Sequence, residues 1–369
     1  MAEHAYKAAG VDPTKINPFK RIIAEVAQST RSFPSRHGCF VNDDGTYCYS
    51  GDDTHIWAKP VIEGAGHKPG VAEWMRKNSG LSLPFYKYPA MDTVRMATND
   101  LIVQGARPVT LNDEIAAPSS DWFTDLERAG QIADGFYEAC EAAGCALVGG
   151  ESPSMKLLVR SDGPIGGAPI MSAAVTGVIA PRNRRPKVHM LRPGDRILGA
   201  RSSGYHANGY TLLIEKAMGL KDNFMTRLPS GITFGEVALE PTACYANLVG
   251  ALMGHDVEVH GLQPITGDGV AKIAFDARPF TYRITDWPDV GEEFLFLKEV
   301  LGLSIKECLT TFNWRIGFVA FVPPHEVASA QRAAQRVGHE LLDLGCVEEG
   351  KRGTIFGREH DLWLEAPGE

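Results

Sequence analysis

The chain reads as an α/β (α+β) protein of two domains, and three observations carry that reading. Its 369 residues exceed what one hydrophobic core usually organises. Strand-like and helix-like patterns alternate in both halves, with no short repeat of the solenoid kind. Between the halves lies PRNRRPK (Pro181 to Lys187), four cations set among prolines, which reads as a solvated interdomain linker. The domains are therefore expected at 1–186 and 187–369.

The elements follow in order. CFVNDDGTYCYS has β-prone residues on both sides of Asp44-Gly45, a hairpin signal, and KPVIEG reads as a short strand. In MDTVRMATNDLIVQGARP, Val94, Ala97, Leu101 and Ile102 share a helix face, with Gly105 and Pro108 as the stop; VTLNDEIAA is a strand. DLERAGQIADGFYEACEAAG repeats Leu126, Ala129, Ala133, Phe136 and Cys140 at helical spacing, and Gly144 sits where a C-cap belongs. CALVGG is expected as a buried strand and MSAAVTGVIA as another. Beyond the linker, GDRILGARSSG is strand into loop, NGYTLLIEKAMGL loop into helix, EPTACYANLVGALM helix, GFVAFVPP strand and HEVASAQRAAQRVG helix.

Composition narrows the function classes. Net charge is -8 with no long basic block, which argues against nucleic-acid binding. Seven cysteines without a CxxC pair suit reduced thiols, and Cys140 and Cys145 read as buried small hydrophobes. No leader pattern is evident, and no apolar run approaches the ~20 residues of a membrane span, so a cytoplasmic protein without membrane contact is expected.

Phosphate chemistry needs approachable backbone N–H groups, a cation, and carboxylates to hold magnesium. EGAGHKPG (Glu63 to Gly70) offers glycines, His67 and Lys68 behind a carboxylate, although it matches neither a P-loop nor a dinucleotide fingerprint and also suits a plain turn. Asp92 and Asn99 lie seven positions apart, hence on one helix face beside Asp100; as oxygen ligands they suit Mg2+, and Asp92 equally suits a helix cap. Glu151 follows two glycines at a strand end. RSSGYHANGYTLL precedes a helix and reads either as an anion site or as a helix capped by Asn208, with His206 at the surface. Asp52, Asp53 and His55 suit a hydrophilic turn better than a metal cluster.

Taken together and in order, YKAAGVD, EGAGHK, NDLIVQGARP, GCALVGGES, GDRILGARSSGYHANGYTLL, PITGDGVAKI and TFNWRIGFVAFVPP resemble the aminoimidazole ribonucleotide synthetase (phosphoribosylformylglycinamidine cyclo-ligase) family of purine biosynthesis over almost the whole chain. The wider superfamily includes selenophosphate synthetase, thiamine monophosphate kinase and a hydrogenase maturation factor. The resemblance implies a two-domain fold whose N-terminal domain contributes strands to a barrel across a homodimer interface. It also implies ATP with Mg2+ as cofactors, a ribonucleotide phosphate as substrate, and a site in the cleft between domains. By position, Lys68, His67 and Asp100 would be catalytic. Lys7, Gly64, Gly66, Lys68, Asp92, Asn99 and Asp113 would bind the nucleotide. Glu63, Asp92, Asn99 and Glu151 would hold the metal, and Ser203, Gly204, Asn208 and Gly209 the substrate phosphate, with YKAAGVD as a lid.

The departures are specific. The family loop usually reads DGVGTK, so Glu63 replaces an aspartate, His67 a threonine, and Pro69 follows Lys68. Tyr86-Lys87-Tyr88 stands where the family has His-Asp-Thr, Pro264 and Asp268 alter HITGGG, and Ile170 stands in place of an acidic residue. Three readings remain: a cyclo-ligase, a paralogous ATP-dependent enzyme activating a different amide or acid, and a non-catalytic relative, for which the retained ligand set would be needless.

Overall fold

The computed structural model describes residues 33, 35 and 39–368, apart from 45, 160–162, 164, 255–256 and 358–361. The expected lid, with Lys7, lies outside the described residues.

The N-terminal half is a mixed sheet backed by helices. Its strands are β1 (Cys39–Val41), β2 (Tyr47–Tyr49), β3 (Ile56–Trp57), β4 (Val61–Gly64), β5 (Arg107–Ala116), β6 (Ala146–Glu151) and β7 (Ile170–Ile179). They run in the order β1-β2-β3-β7-β5-β6, and β4 pairs with the other half of β7. The β1–β2 hairpin forms as expected, its turn held by Thr46 N–H donating to the Asp44 carboxylate. Helices α1 (Lys68–Asn78), α2 (Lys87–Ile102) and α3 (Leu126–Ala143) complete this half. Alternation along β7 sends Met171, Ala173 and Val175 into a core with Val94, Ala97 and Leu101 of α2 and Ile132 and Phe136 of α3. Gly177 lies under α2 because a Cβ there would meet Leu101 Cδ2 at 2.7 Å.

The C-terminal half contains β8 (Arg196–Arg201), α4 (Tyr210–Met218), α5 (Phe234–Leu239), α6 (Ala246–Gly254), β9 (Gly261–Pro264), β10 (Phe280–Ile284), α7 (Glu292–Glu299), α8 (Ile305–Thr311), β11 (Ile316–Val322), α9 (Val327–Gln335), β12 (Leu341–Glu349), β13 (Gly353–Phe356) and β14 (Leu362–Glu365). The sheet runs β14-β13-β10-β12-β8-β11-β9, antiparallel except for β10 with β13. Every residue of β11 is buried: Val319 and Phe321 face the α4, α5, α7 and α8 layer, while Phe318, Ala320 and Val322 face α6 and α9. Each such side chain contributes roughly 1.5–3 kcal/mol of burial, which makes this strand the spine of the half.

Several expectations change. The face of α3 is rotated: Leu126, Ala129 and Ala133 are exposed, whereas Arg128, Ile132 and Gly135 are buried. The cause is the crossing with α2, since a Cβ on Gly135 would meet Lys87 O at 2.4 Å and Ala90 Cβ at 2.9 Å. CALVGG forms β6, but as an edge strand exposed along its whole length rather than a buried one. The linker is not fully solvated, because Arg184 is buried and donates to Gly105 O and Gly250 O. Residues 240–245 lie outside any helix or strand, so α6 starts only at Ala246.

Candidate functional site between the two halves

The glycine loop leaves β4 at Gly64 and enters α1 at Lys68, with Gly66 in the left-handed region at φ 54°. It packs on the 203–211 loop of the other half: His67 Nδ1 lies 3.0 Å from Thr211 Oγ1, and a Cβ on Gly66 would sit 3.5 Å from Ala207 O. The two loops that the resemblance assigns to the nucleotide and to the substrate phosphate are thus juxtaposed.

Lys68 does not face open space. Its side chain is fully buried, with Nζ 2.5 Å from Asp92 Oδ2 and donating to Glu240 O at 2.5 Å and His206 O at 3.2 Å. An ammonium has three donors, and three acceptors surround this one, so none is left for a phosphate. Burial pushes the Lys68 ammonium down and the Asp92 carboxylate opposes it. Lys68 is therefore a strut between the halves in this conformation, not an open phosphate contact.

Asp92, Arg95 and Asn99 do share one face of α2, and that face grips the 240–245 segment. Asp92 Oδ1 accepts from Thr242 N–H at 2.5 Å and Arg95 Nη1 donates to Thr242 O at 2.8 Å. Asn99 donates to Ala243 O at 2.8 Å and accepts from Tyr245 N–H at 3.0 Å. Helix α2 begins at Lys87, five residues before Asp92, so Asp92 is not its cap; it and Asn99 are engaged instead by the 240–245 segment. His206, expected at the surface, is 2% exposed at φ 61°, and burial pushes its imidazole down to about 3, with Lys68 and Arg95 adding repulsion. Gly317 makes room for it, because a Cβ there would meet His206 Cε1 at 2.4 Å and Tyr245 Oη at 2.1 Å.

One residue beyond Asn99 the arrangement differs. Asp100 turns toward β4, where its carboxyl hydrogen-bonds the Glu63 carboxyl, while Asp100 Oδ1 is buried without a partner among the described residues. Burial, then the charge of Asp100, pushes Glu63 up to about 7; burial likewise raises Asp100. Lys272, from the loop after β9, opposes both shifts and hydrogen-bonds Thr266. Glu63 and Asp100 open into a cavity of about 480 Å3 that Lys59, Gln104, Asp44 and Arg185 also line. The residue choice did not anticipate Lys272; its signal was a cation inside the PITGDGVAKI segment already singled out for Pro264 and Asp268.

Strand register separates the remaining candidates. Glu63 pairs with Ala173, Ala173 with Asp113, and Asp113 with Gly150. Asp113 is therefore two strands from Glu63, on the order of 10 Å along the sheet, and Glu151 three strands away, roughly 14 Å. Burial raises the Asp113 carboxyl, which lies across Gly150: a Cβ there would meet Asp113 Oδ1 at 2.0 Å. That contact is the physical reason for a glycine before Glu151. On the other side, Gly209 rather than Asn208 caps α4, at φ 77° and with no side-chain hydrogen bond to the first turn. Ser203 donates to Pro241 O and Gly204 O accepts from Asn313 at 2.8 Å, which stiffens that loop. Tyr86, at the family's His-Asp-Thr position, is buried with its hydroxyl on Glu73 and its ring under Arg128, a packing role. Asp52 and His55 form a local surface turn, and among the described residues no three His, Cys, Asp or Glu side chains converge on a metal position.

Two α/β halves that juxtapose two glycine-containing loops, with a carboxyl pair at the strand end where the first loop begins, are the layout of a two-domain phosphate-handling enzyme. Residues 63–179 match the N-terminal domain of AIR synthase related proteins and residues 192–358 the C-terminal domain, so the chain belongs to the AIR synthase related family. Among curated relatives, the phosphoribosylformylglycinamidine cyclo-ligase of Thermococcus kodakarensis is 33% identical over 95% of this chain and 98% of its own. That of Desulfotalea psychrophila is 29% identical over 93% of each. Solved structures share the fold: hydrogenase maturation protein HypE in complex with ATP (17% identity, 89% of each chain, TM-score 0.60) and T. maritima PurL complexed with FGAR (16% identity, 86% of this chain and 47% of that one, TM-score 0.55).

Proposed function

We propose that the protein is an ATP-dependent cyclo-ligase that converts formylglycinamidine ribonucleotide to aminoimidazole ribonucleotide. The observation that carries this reading is the Glu63–Asp100 pair, two carboxyls brought together beside the glycine loop with one buried oxygen unsatisfied. Burying two carboxyls against each other is unfavourable unless a proton or a cation sits between them. Magnesium commonly takes one or two carboxylates and completes its shell with water and phosphate oxygens, so this donor set fits it. Glu63 and Asp100 would hold Mg2+, which would neutralise charge on the transferring phosphoryl group.

In the reaction the amide oxygen attacks the γ-phosphorus and ADP leaves; the amidine nitrogen then attacks the activated carbon, closes the ring and expels phosphate. The protein's own part is alignment. The N-terminus of α4, free of a side-chain cap, suits the substrate phosphate, with Ser203, Gly204, Asn208 and Gly209 shaping its approach. His67, tethered through Nδ1 to Thr211, keeps Nε2 for proton transfer at the nitrogen. Nucleotide contacts come from Gly64, Gly66 and Lys7, while Lys68, Asp92 and Asn99 set the spacing between halves. A homodimer joined through the exposed β6, where Leu147 and Val148 are uncovered, would extend the sheet into a shared barrel. A cytoplasmic location accords with the reduced cysteines and with the absence, among the described residues, of a helix long and apolar enough to span a membrane.

A second reading, a paralogous ATP-dependent enzyme with a different amide or acid substrate, is favoured by Tyr86 filling the core and by Lys272 facing the carboxyl pair. Purified protein supplied with ATP, Mg2+ and formylglycinamidine ribonucleotide should yield ADP and aminoimidazole ribonucleotide together. ADP that depends on some other amide, without that product, supports the second reading instead; no ATP turnover with any amide removes both.

A further inference from the structure

Helix α3 ends in a hydrogen-bond pattern that brings two thiols together. Gly144, at φ 73°, shares its N–H between Cys140 O at 2.8 Å and Glu141 O at 3.2 Å, and Cys145 N–H donates to Cys140 O at 3.1 Å. The last two are the bonds of a Schellman turn, in which the residues at the positions of Cys140 and Cys145 place their side chains in contact, usually as a hydrophobic pair. Here both are cysteines. Cys145 packs on the core cluster that contains Cys140, and their sulfurs are within hydrogen-bonding reach. In the single chain the contact is not sealed: Cys140 and Cys145 both line an open cavity of about 690 Å3 beside Trp122, Phe136 and Leu147.

We propose that Cys140 and Cys145 are a reversible thiol–disulfide pair, a modification site at the junction of α3 and β6. The oxidant is a small-molecule disulfide of the glutathione class. The Cys140 thiolate attacks one oxidant sulfur, the oxidant S–S bond breaks, and one small thiol leaves with a proton. The Cys145 thiolate then attacks the Cys140 sulfur of the mixed disulfide, the second small thiol leaves, and the protein disulfide remains. Two protein thiols are oxidised and one small disulfide is reduced to two thiols. The Cys145 thiol and the Leu147 N–H, both directed at the Cys140 sulfur, lower the Cys140 pKa below that of a free thiol, while the same contact raises that of Cys145, which favours Cys140 as the attacking sulfur. Cys244, in the segment gripped by α2, is a third thiol close enough to act on Cys145 and defines the competing pairing.

The test uses the full chain in glutathione disulfide, followed by alkylation of remaining thiols, cleavage at Glu141 and peptide mass spectrometry. The expected result is simultaneous loss of the Cys140 and Cys145 thiols, the two peptides joined with loss of two hydrogens and separated again by dithiothreitol. Cys145→Ser should accumulate a stable glutathione adduct on Cys140, and Cys244→Ser should leave the 140–145 bridge unchanged. A persistent mixed disulfide in the wild type, both thiols still alkylated after oxidation of the others, or loss of the bridge in Cys244→Ser would each overturn the proposal. Matching far-ultraviolet spectra and melting curves for the serine variants exclude misfolding as the cause.

Discussion

Helix α2 carries two regions that differ within a single residue step. Asp92, Arg95 and Asn99 spend their hydrogen bonds on the 240–245 segment, and Lys68 completes that seam with three acceptors around its ammonium. Asp100, the next residue after Asn99, faces Glu63, and its Oδ1 is buried without a hydrogen-bond partner among the described residues, as is Arg95 Nε on the seam side. The Asp92 carboxylate is matched at the seam by the Lys68 ammonium, whereas Asp100 meets a second carboxyl, an arrangement that calls for a proton or a cation between them. The residue types are the same on both sides of the helix; the partners decide the role.

The largest effect expected from breaking this contrast is at Lys68. Lys68→Ala leaves Asp92 buried without its counter-charge, and such losses cost ~3–5 kcal/mol. Chemical denaturation should register most of that, with loss of ATP turnover following from the weakened fold. A Lys68→Ala protein as stable as wild type but inactive would return Lys68 to the phosphate. Asn99→Ala comes next: it strands Ala243 O and Tyr245 N–H at the seam, at about 1–3 kcal/mol. Increased amide exchange confined to residues 242–246 and α2 is the signature of a seam; unchanged protection there would show that the bonds contribute nothing.

His206 tests the seam by pH. Its folded value, about 3, lies below the ordinary 6.5, so the folded protein binds fewer protons than the unfolded chain between those values. Stability should be full above pH 6.5 and fall as the pH drops toward 3, by at most about 1.4 kcal/mol per pH unit from this group. Lys68, Arg95 and Asp92 are the charged groups around it, and the first two add to the repulsion of an imidazolium. His206→Asn, which tolerates the left-handed backbone, should flatten the slope measured by urea titration across that range. An unchanged slope would assign acid sensitivity elsewhere.

How legible this was depends on the range of the interaction. The course of α2 and β7 followed from local periodicity, and the shared face of Asp92 and Asn99 from their spacing. What that face meets did not, because the 240–245 segment lies more than 140 residues away in the chain. The apolar run of β6 looked buried because composition cannot distinguish a covered strand from an uncovered edge. Arg128 was overlooked since a cation interrupts an apolar stripe, yet its guanidinium sits 4.3 Å from the Trp122 ring centroid and donates to Trp122 O. The contact of Glu63 with Asp100 was not legible either, because it joins a strand to a helix well beyond it in the chain, and strand register sets Glu151 three strands from Glu63.

The smallest stability effect, and the one that most sharpens the comparison, belongs to the carboxyl pair. Glu63 has a folded value of about 7 against the ordinary 4.5, so its contribution is fullest below pH 4.5 and is lost as the pH rises through 7. Glu63→Gln removes the repulsion, and above pH 7 without divalent ions the variant should equal or exceed wild type, by less than about 2 kcal/mol after screening of this half-buried group. Wild type should gain melting temperature on addition of Mg2+, and the variant should not; its ATP turnover should fall roughly a hundredfold, about 3 kcal/mol of lost phosphoryl stabilisation. Asp100→Asn should behave in the same way. If either variant is instead destabilised as strongly as Asn99→Ala, with Mg2+ shifting neither it nor wild type, then both faces of α2 serve only the fold, and the catalytic metal lies elsewhere.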